Sequence, residues 1–346
     1  MFRVVPHAVV ADTLNESRGA VLAAVESTYL AHDRGETVNP PSHFLRFPAK
    51  PANRIIALPA YLDGETRMPG LKWISSFPGN HELGLPRASA VLLLNDERTG
   101  RPVACIEAAH ISAARTAASA AVAARALRTQ DGPVSLGFVG TGVIARTIAD
   151  YLHYTGLAVT RYVCHDVVAE RADAFVRHAD GHWPGAGAAA DLDTALESDV
   201  VVFATTSGEP YLPETLRFRP GQTVLNISLR DIHPRTLLAA QNILDDVDHC
   251  LRAQTSPHLA EQLSGGRAFV TGTLADVLVG RTDLRADQPV VFSPFGLGVL
   301  DIAVGAIVLD RSADDPRTVT VPDFFETEPS GGTAGAAGRA GEGTDG

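Results

Sequence analysis

An α/β fold in two domains is what this sequence predicts, and three observations predict it. The chain has 346 residues, enough for about two domains at roughly 150 residues each. Its first hundred residues hold short β-type runs separated by Pro, Gly and Asn, whereas from Val134 strand-like and helix-like segments alternate. Between the two patterns lies an Ala-rich stretch without Gly or Pro.

The first half reads as α+β. A helical pattern runs from about Ser17 to His32, with Val21, Leu22, Val25 and Leu30 on one face and Gly35 as its stop signal. The segment NPPS (39–42) breaks it. HFLRF (43–47), RIIALPA (54–60), GLKWISSF (70–77) and AVLLLND (90–96) read as strands of an antiparallel or mixed sheet. From His110 to Arg128 the small residues form a strong helix, the bridge between the domains. VSLGFVG, RYVCHD, VVVFATT, TVLNIS, NILDDVD and VVFSP then read as parallel strands with helices on both faces. A last apolar helix, about Gly296 to Asp310, returns the chain to the first domain. The expected division is 1–118 with 306–326 as the α+β domain and 119–305 as the second domain. Residues 327–346, Gly-rich and without apolar periodicity, are expected to be a disordered tail.

Composition narrows the function classes. Apolar residues make up 45% and charged residues 20%, so the chain can bury real cores. A net charge of −11 argues against nucleic-acid binding, because a phosphate backbone demands a basic surface. No apolar run approaches the ~20 residues of a membrane span, and the N-terminus has no signal-peptide core. Cys105, Cys164 and Cys250 fit neither a zinc spacing nor a disulfide framework. They read as small core residues in a reducing, cytoplasmic compartment. No metal is expected, and His43, His81 and His233 read as structural or surface histidines. Only Lys50, in a Pro-flanked loop, and Lys72 are lysines among 29 basic residues.

The sharpest motif is Gly137-Phe-Val-Gly140-Thr-Gly142-Val-Ile-Ala145. It places G-x-G-x-x-A between a strand and a helix, the fingerprint of a Rossmann dinucleotide-binding domain. Gly140 permits the tight turn, Gly142 the approach of a pyrophosphate, and Ala145 close helix packing. The helix N-terminus offers free N–H groups to phosphate. Asp166 ends the next strand, where a carboxylate binds the adenosine ribose and favours NAD over NADP. Thr205, Thr206 and Ser207 end the fourth strand at the same sheet edge. In the first half, Arg46, Lys72 and Arg115 together suggest a pocket for carboxylates.

These residues resemble the ornithine cyclodeaminase/μ-crystallin family. The phrases that carry the resemblance are YLAHDRG (29–35), GLKW (70–73), AARTAA (113–118), GFVGTG (137–142) and VLNISLRD (224–231). NPPSHFLRFP (39–48), RIIALPAY (54–61), GLKWISSFP (70–78), PRASAVLLLND (86–96) and SAARTAASAA (112–121) are similar to its 2,3-diaminopropionate-biosynthesis branch. Members of that branch oxidise N-(1-amino-1-carboxy-2-ethyl)-glutamate with NAD and hydrolyse the product. They release L-2,3-diaminopropionate and 2-oxoglutarate for siderophore or peptide natural products. The resemblance implies a first domain that both binds substrate and dimerises. It assigns Arg46, Lys72 and Arg115 to substrate carboxylates and Asp231 to catalysis, with Lys72 as a proton shuttle. It assigns Thr116, Gly140, Thr141, Gly142, Val143, Asp166, Thr205 and Thr206 to the dinucleotide. Cyclodeaminases have Gly-Gly before the aspartate where this chain has Leu229-Arg230, which adds Arg230 as a substrate ligand or as a salt-bridge partner of Asp231. The alternatives are ornithine cyclodeaminase, an alanine or ketimine dehydrogenase, or a non-enzymatic NAD(P)-dependent small-molecule binder.

Overall fold

The computed structural model describes residues 1–326 and resolves the chain into two eight-stranded sheets. The tail expected at 327–346 lies outside the described residues. The first part runs β1 (Phe2–Val5), α1 (His7–Glu16), α2 (Arg18–Asp33), β2 (Thr37–Val38), β3 (His43–Phe47), β4 (Lys50–Leu62), β5 (Met68–Ser76), β6 (Ala88–Asn95), β7 (Pro102–Glu107) and α3 (Ala109–Ala126). The second part begins β8 (Val134–Val139), α4 (Val143–Tyr154), β9 (Val159–His165), α5 (Ala169–Ala179), β10 (Gly187–Ala189), α6 (Leu192–Leu196), β11 (Val200–Phe203) and β12 (Thr223–Asn226). It continues α7 (Pro234–Leu237), β13 (Gln241–Leu244), α8 (Val247–Cys250), α9 (Ser256–Ser264), β14 (Val270–Thr273), α10 (Leu274–Leu278) and β15 (Val290–Ser293). The chain then returns through α11 (Gly298–Arg311) and β16 (Val319–Val321).

The first sheet has the order β16-β1-β7-β6-β5-β4-β2, with β3 also on β4. It is mixed, because β1 and β7 are parallel and the other pairs antiparallel. Alternation sends Leu58, Ala60, Leu92 and Leu94 to one face, beneath α11. Trp73, Val91 and Leu45 stay exposed. PAKPAN (48–53), expected as a loop, instead holds the β3–β4 turn at 48–49 and the start of β4, where Phe47 pairs with Lys50. β1 and β16 escaped the sequence reading because each is very short and pairs with distant chain.

The second sheet is wholly parallel, in the order β10-β9-β8-β11-β12-β15-β13-β14. Strand order reverses at β8, and open α/β sheets bind ligands at such a switch point. Every residue of β8 is buried.

The expected domain cuts need correcting. A cut at 118 falls inside α3 and one at 305 inside α11. α11 packs on β4, β5 and β6 along its length, through Gly298 against Leu58 and Gly305 against Leu92. The chain therefore rejoins the first sheet before residue 298, because a helix that covers a sheet belongs to that core. Among the described residues no helix is long and apolar enough to cross a membrane.

Two glycines of the motif make opposite predictions. A Cβ on Gly137 would overlap the Ala195 carbonyl oxygen, whereas one on Gly142 would meet nothing within 4 Å. Gly137→Ala is expected to cost about 1–3 kcal/mol in urea unfolding. Gly142→Ala should leave that midpoint unchanged.

Candidate active site

The nucleotide loop forms at the end of β8. Gly140 has φ +82°, a left-handed backbone that only glycine adopts freely. A Cβ there would lie 2.8 Å from the Ala204 carbonyl oxygen. Gly142 caps α4, and Val143 in the first turn is 70% exposed. The loop thus presents open backbone at a helix N-terminus, which fits a pyrophosphate. Asp166 accepts hydrogen bonds from the Thr141 N–H and hydroxyl, both at 2.9 Å, and from the Val168 N–H at 3.0 Å. Burial alone would raise its pKa, but these bonds, with Arg171 nearby, outweigh burial and hold it below the ordinary carboxylate range. Asp166 therefore ties the loop in place besides standing where a ribose would bind. Thr116 donates its hydroxyl to the Ser112 carbonyl at 2.7 Å, and Thr206 is exposed at the strand end.

Asp231 follows β12 and is fully buried. Its Oδ1 accepts the Thr205 hydroxyl at 2.5 Å and its Oδ2 accepts the Ser228 hydroxyl. Thr205, expected on the dinucleotide, uses its hydroxyl here to hold this carboxylate. The Tyr211 phenol is pushed above its ordinary pKa by burial and then by Asp231 beside it. Leu229 adopts φ +69°, a conformation that suits the glycine found there in cyclodeaminases. Arg230 donates to the Ala253 carbonyl at 2.8 Å, and it makes no ion pair with Asp231 among the described residues. The salt-bridge role weighed for it is not what the structure shows.

Lys72 and Arg115 meet on a residue that sequence reasoning missed. Lys72 Nζ donates to Asp301 Oδ2 at 2.6 Å and to Ser112 Oγ at 3.4 Å. Arg115 Nε donates to Asp301 Oδ1 at 3.2 Å. Asp301 is wholly buried in the first turn of α11, and Lys72 is 1% exposed. Burial lowers the Lys72 pKa to about 8; Asp301 opposes that fall and Arg115 adds to it. Gly296, at φ +89°, leaves the space that the Arg115 guanidinium fills. Its N–H and that of Phe295 donate to the buried Asp245 at 2.7 and 3.0 Å. A lone acid in the apolar run LGVLDIAVG was the signal available for Asp301.

Arg46 joins a different group. It pairs across the hairpin with Arg54, which in turn faces Ser76 on β5. Arg87 donates to the Ser76 hydroxyl at 2.7 Å. Burial lowers the pKa values of Arg54, Arg87 and Arg230. Neighbouring charge then lowers them further: Arg46 acts on Arg54, Arg54 on Arg87, and both Arg54 and Arg46 on Arg230. None of the four has a carboxylate in ion-pair contact among the described residues. Arg54 is four residues along β4 from Leu58, the partner of Lys72, so the two groups lie about 13 Å apart along one sheet face. Arg46 on the one hand and Lys72 with Arg115 on the other are thus anchored at two points along that face, and Arg54 and Arg87 are additions that only strand register reveals.

The sequence pattern of the ornithine cyclodeaminase/mu-crystallin family matches residues 4–315. The chain belongs to that family. It is 28% identical over 300 residues to the N-((2S)-2-amino-2-carboxyethyl)-L-glutamate dehydrogenase of Staphylococcus aureus, covering 84% of this chain and 89% of that one. It is 27% identical over 312 residues to the alanine dehydrogenase of Archaeoglobus fulgidus, covering 86% and 91%. The crystal structure of CmnK superposes with a TM-score of 0.82 at 32% identity, over 92% of this chain and 98% of that one.

Removing the shared anion should be costly. Asp301→Asn leaves two buried cations without a counter-charge, and a loss of about 3–5 kcal/mol is expected. It also removes the charge that props up the Lys72 pKa, which should fall further. The loss, read by urea unfolding, should be greatest well below pH 8, where Lys72 is charged in both folded proteins, shrink as pH rises toward 8 and level off above it.

Proposed function

We propose that this enzyme oxidises N-(1-amino-1-carboxy-2-ethyl)-glutamate with NAD and hydrolyses the product to L-2,3-diaminopropionate and 2-oxoglutarate. The coarser class is an NAD-dependent oxidoreductase that acts on an amino-acid C–N bond. The observation that carries the finer reading is the arginine group, Arg46, Arg54, Arg87 and Arg230, none of which makes an ion pair with a carboxylate among the described residues. Guanidinium groups held together repel one another unless an anion lies among them. The proposed substrate has three carboxylates and suits such a cluster. Alanine has one carboxylate, and the terminal ammonium of ornithine would be repelled. The Staphylococcus aureus relative, named for this substrate, supports the reading.

The roles follow from the contacts. Arg115 spends only its Nε on Asp301, and among the described residues its outer nitrogens make no hydrogen bond, which suits them to a substrate carboxylate. The arginine group holds the distal carboxylates, and the two anchors together fix the substrate's orientation. Gly140, Thr141, Gly142, Val143 and Asp166 hold the dinucleotide, whose nicotinamide accepts a hydride when bound. Asp231, held by Thr205 and Ser228, takes the proton of the linking amine and so frees its lone pair. Water then adds to the carbon–nitrogen double bond, and collapse releases the diaminopropionate amine and leaves a ketone. Lys72, with a pKa near 8, exchanges protons at working pH in a way that an arginine cannot.

The proposal extends to assembly and place. Trp73 (41% exposed) and Val91 (38%) are register partners on the open face of the first sheet. A second copy of the chain covering that face would make a homodimer, and the compartment is the cytoplasm. Siderophore or peptide natural-product assembly is the proposed use of the product.

Purified protein given NAD and, separately, the aminocarboxyethyl-glutamate, alanine and ornithine should form NADH and 2-oxoglutarate only with the first; preferential turnover of either other amino acid refutes the substrate. Asp231→Asn should lower kcat by at least about 100-fold with NAD affinity unchanged. Lys72→Arg stays charged, so it should lose any kcat limb near pH 8. Asp166→Ser should shift the kcat/KM preference toward NADP, and an unmoved ratio would take Asp166 out of ribose recognition.

A further inference from the structure

Away from the cleft, the ends of α4 and α5 bring together a set of ligand-type side chains that the sequence reading, which found no ligand cluster, did not anticipate. His178 lies in the last turn of α5. The backbone keeps a helical path beyond it: Asp180 N–H donates to Val176, and the N–H groups of His182 and Trp183 donate to Ala179. His182 is thus four residues on from His178 along a helical path, which puts both rings on one side. Asp150 comes from α4. Its Oδ1 lies 2.6 Å from His178 Nε2 and 2.6 Å from His182 Nε2. These three atoms lie within 4.8 Å of one another. The side chains are 34%, 22% and 21% exposed for His178, His182 and Asp150, shielded but within reach of solvent.

We propose that Asp150, His178 and His182 form a binding site for one divalent transition-metal ion. His-x3-His on one helical path, completed by a carboxylate from a neighbouring helix, supplies the imidazole and carboxylate donors that zinc, cobalt and nickel prefer. Three protein ligands leave a position for water. Both rings aim Nε2 at one carboxylate oxygen, and neither Nδ1 takes part in a hydrogen bond among the described residues. Each ring can therefore place its proton on Nδ1 and turn the Nε2 lone pair to a metal. The ion would staple α4 to α5. α4 starts at the nucleotide loop and α5 begins three residues after Asp166. Asp150 stands seven residues into α4, about 10 Å along the helix from its start, so the ion would brace that loop from behind and take no part in the reaction. The site is independent of the substrate proposed above.

The chain carries its own reporter. Trp183 lies 5.8 Å from the His182 ring and 6.0 Å from His153, and the only other tryptophan is Trp73. In full-length Trp73→Phe protein stripped with a chelator, titrated Co²⁺ should quench Trp183 emission and saturate at one equivalent. Added Zn²⁺ should restore it. His178→Ala in that background should weaken the quenching at least about 100-fold, more than loss of an outer partner costs. Asp150→Asn serves as a second variant should His178→Ala not fold. Absence of saturable quenching, or quenching that a folded variant keeps unchanged, overturns the site.

Discussion

One buried carboxylate organises the cleft. Asp301 accepts from Lys72 on β5 and from Arg115 on α3, and it sits itself on α11. Three elements far apart in the chain are thereby locked by two charge-assisted bonds. Two cations share one anion, so the group keeps a net positive charge in a setting where water cannot screen it. That residual charge is what a substrate carboxylate would meet. Burial is also why Lys72 sits near the point of losing its proton.

The cleft contrasts with the molecule around it. The chain carries a net charge of −11, yet four arginines crowd where β3, β4 and β5 meet the loop after β12. At physiological salt the field of remote surface acids fades within about 8 Å, so the local cluster decides what binds. Recognition here is short-ranged, resting on forked donors with fixed geometry and not on long-range steering.

The parts of this architecture that were legible in the sequence are those that local chemistry dictates. The Gly140–Gly142 turn, Asp166 at the next strand end and the Ala-rich α3 each follow from a few adjacent residues. What escaped depends on register or on distant pairing. Arg54 faces Arg46 only because the β3–β4 hairpin aligns them, and Arg87 enters through Ser76 on the next strand. Asp301 is 229 residues from Lys72, and no window on the sequence spans that gap. The sheet edge that carries Thr205 was legible, but not the turn of its hydroxyl toward Asp231. The spacing of His178 and His182 was readable, but Asp150 joins them only once α4 lies against α5.

The return of α11 to the first sheet bears on how the protein is made. Leu58, Ala60, Leu92 and Leu94 wait for a cover that leaves the ribosome more than 200 residues after them. Until then the nascent first sheet exposes an oily face and an unneutralised Lys72, a state prone to wrong association. The central parallel-stranded unit has all its strands before α11 emerges and can fold first. Maturation of the outer unit is therefore a late event, timed by the emergence of α11. Truncation before α11 would be expected to yield a stable nucleotide-binding core attached to an aggregating front half.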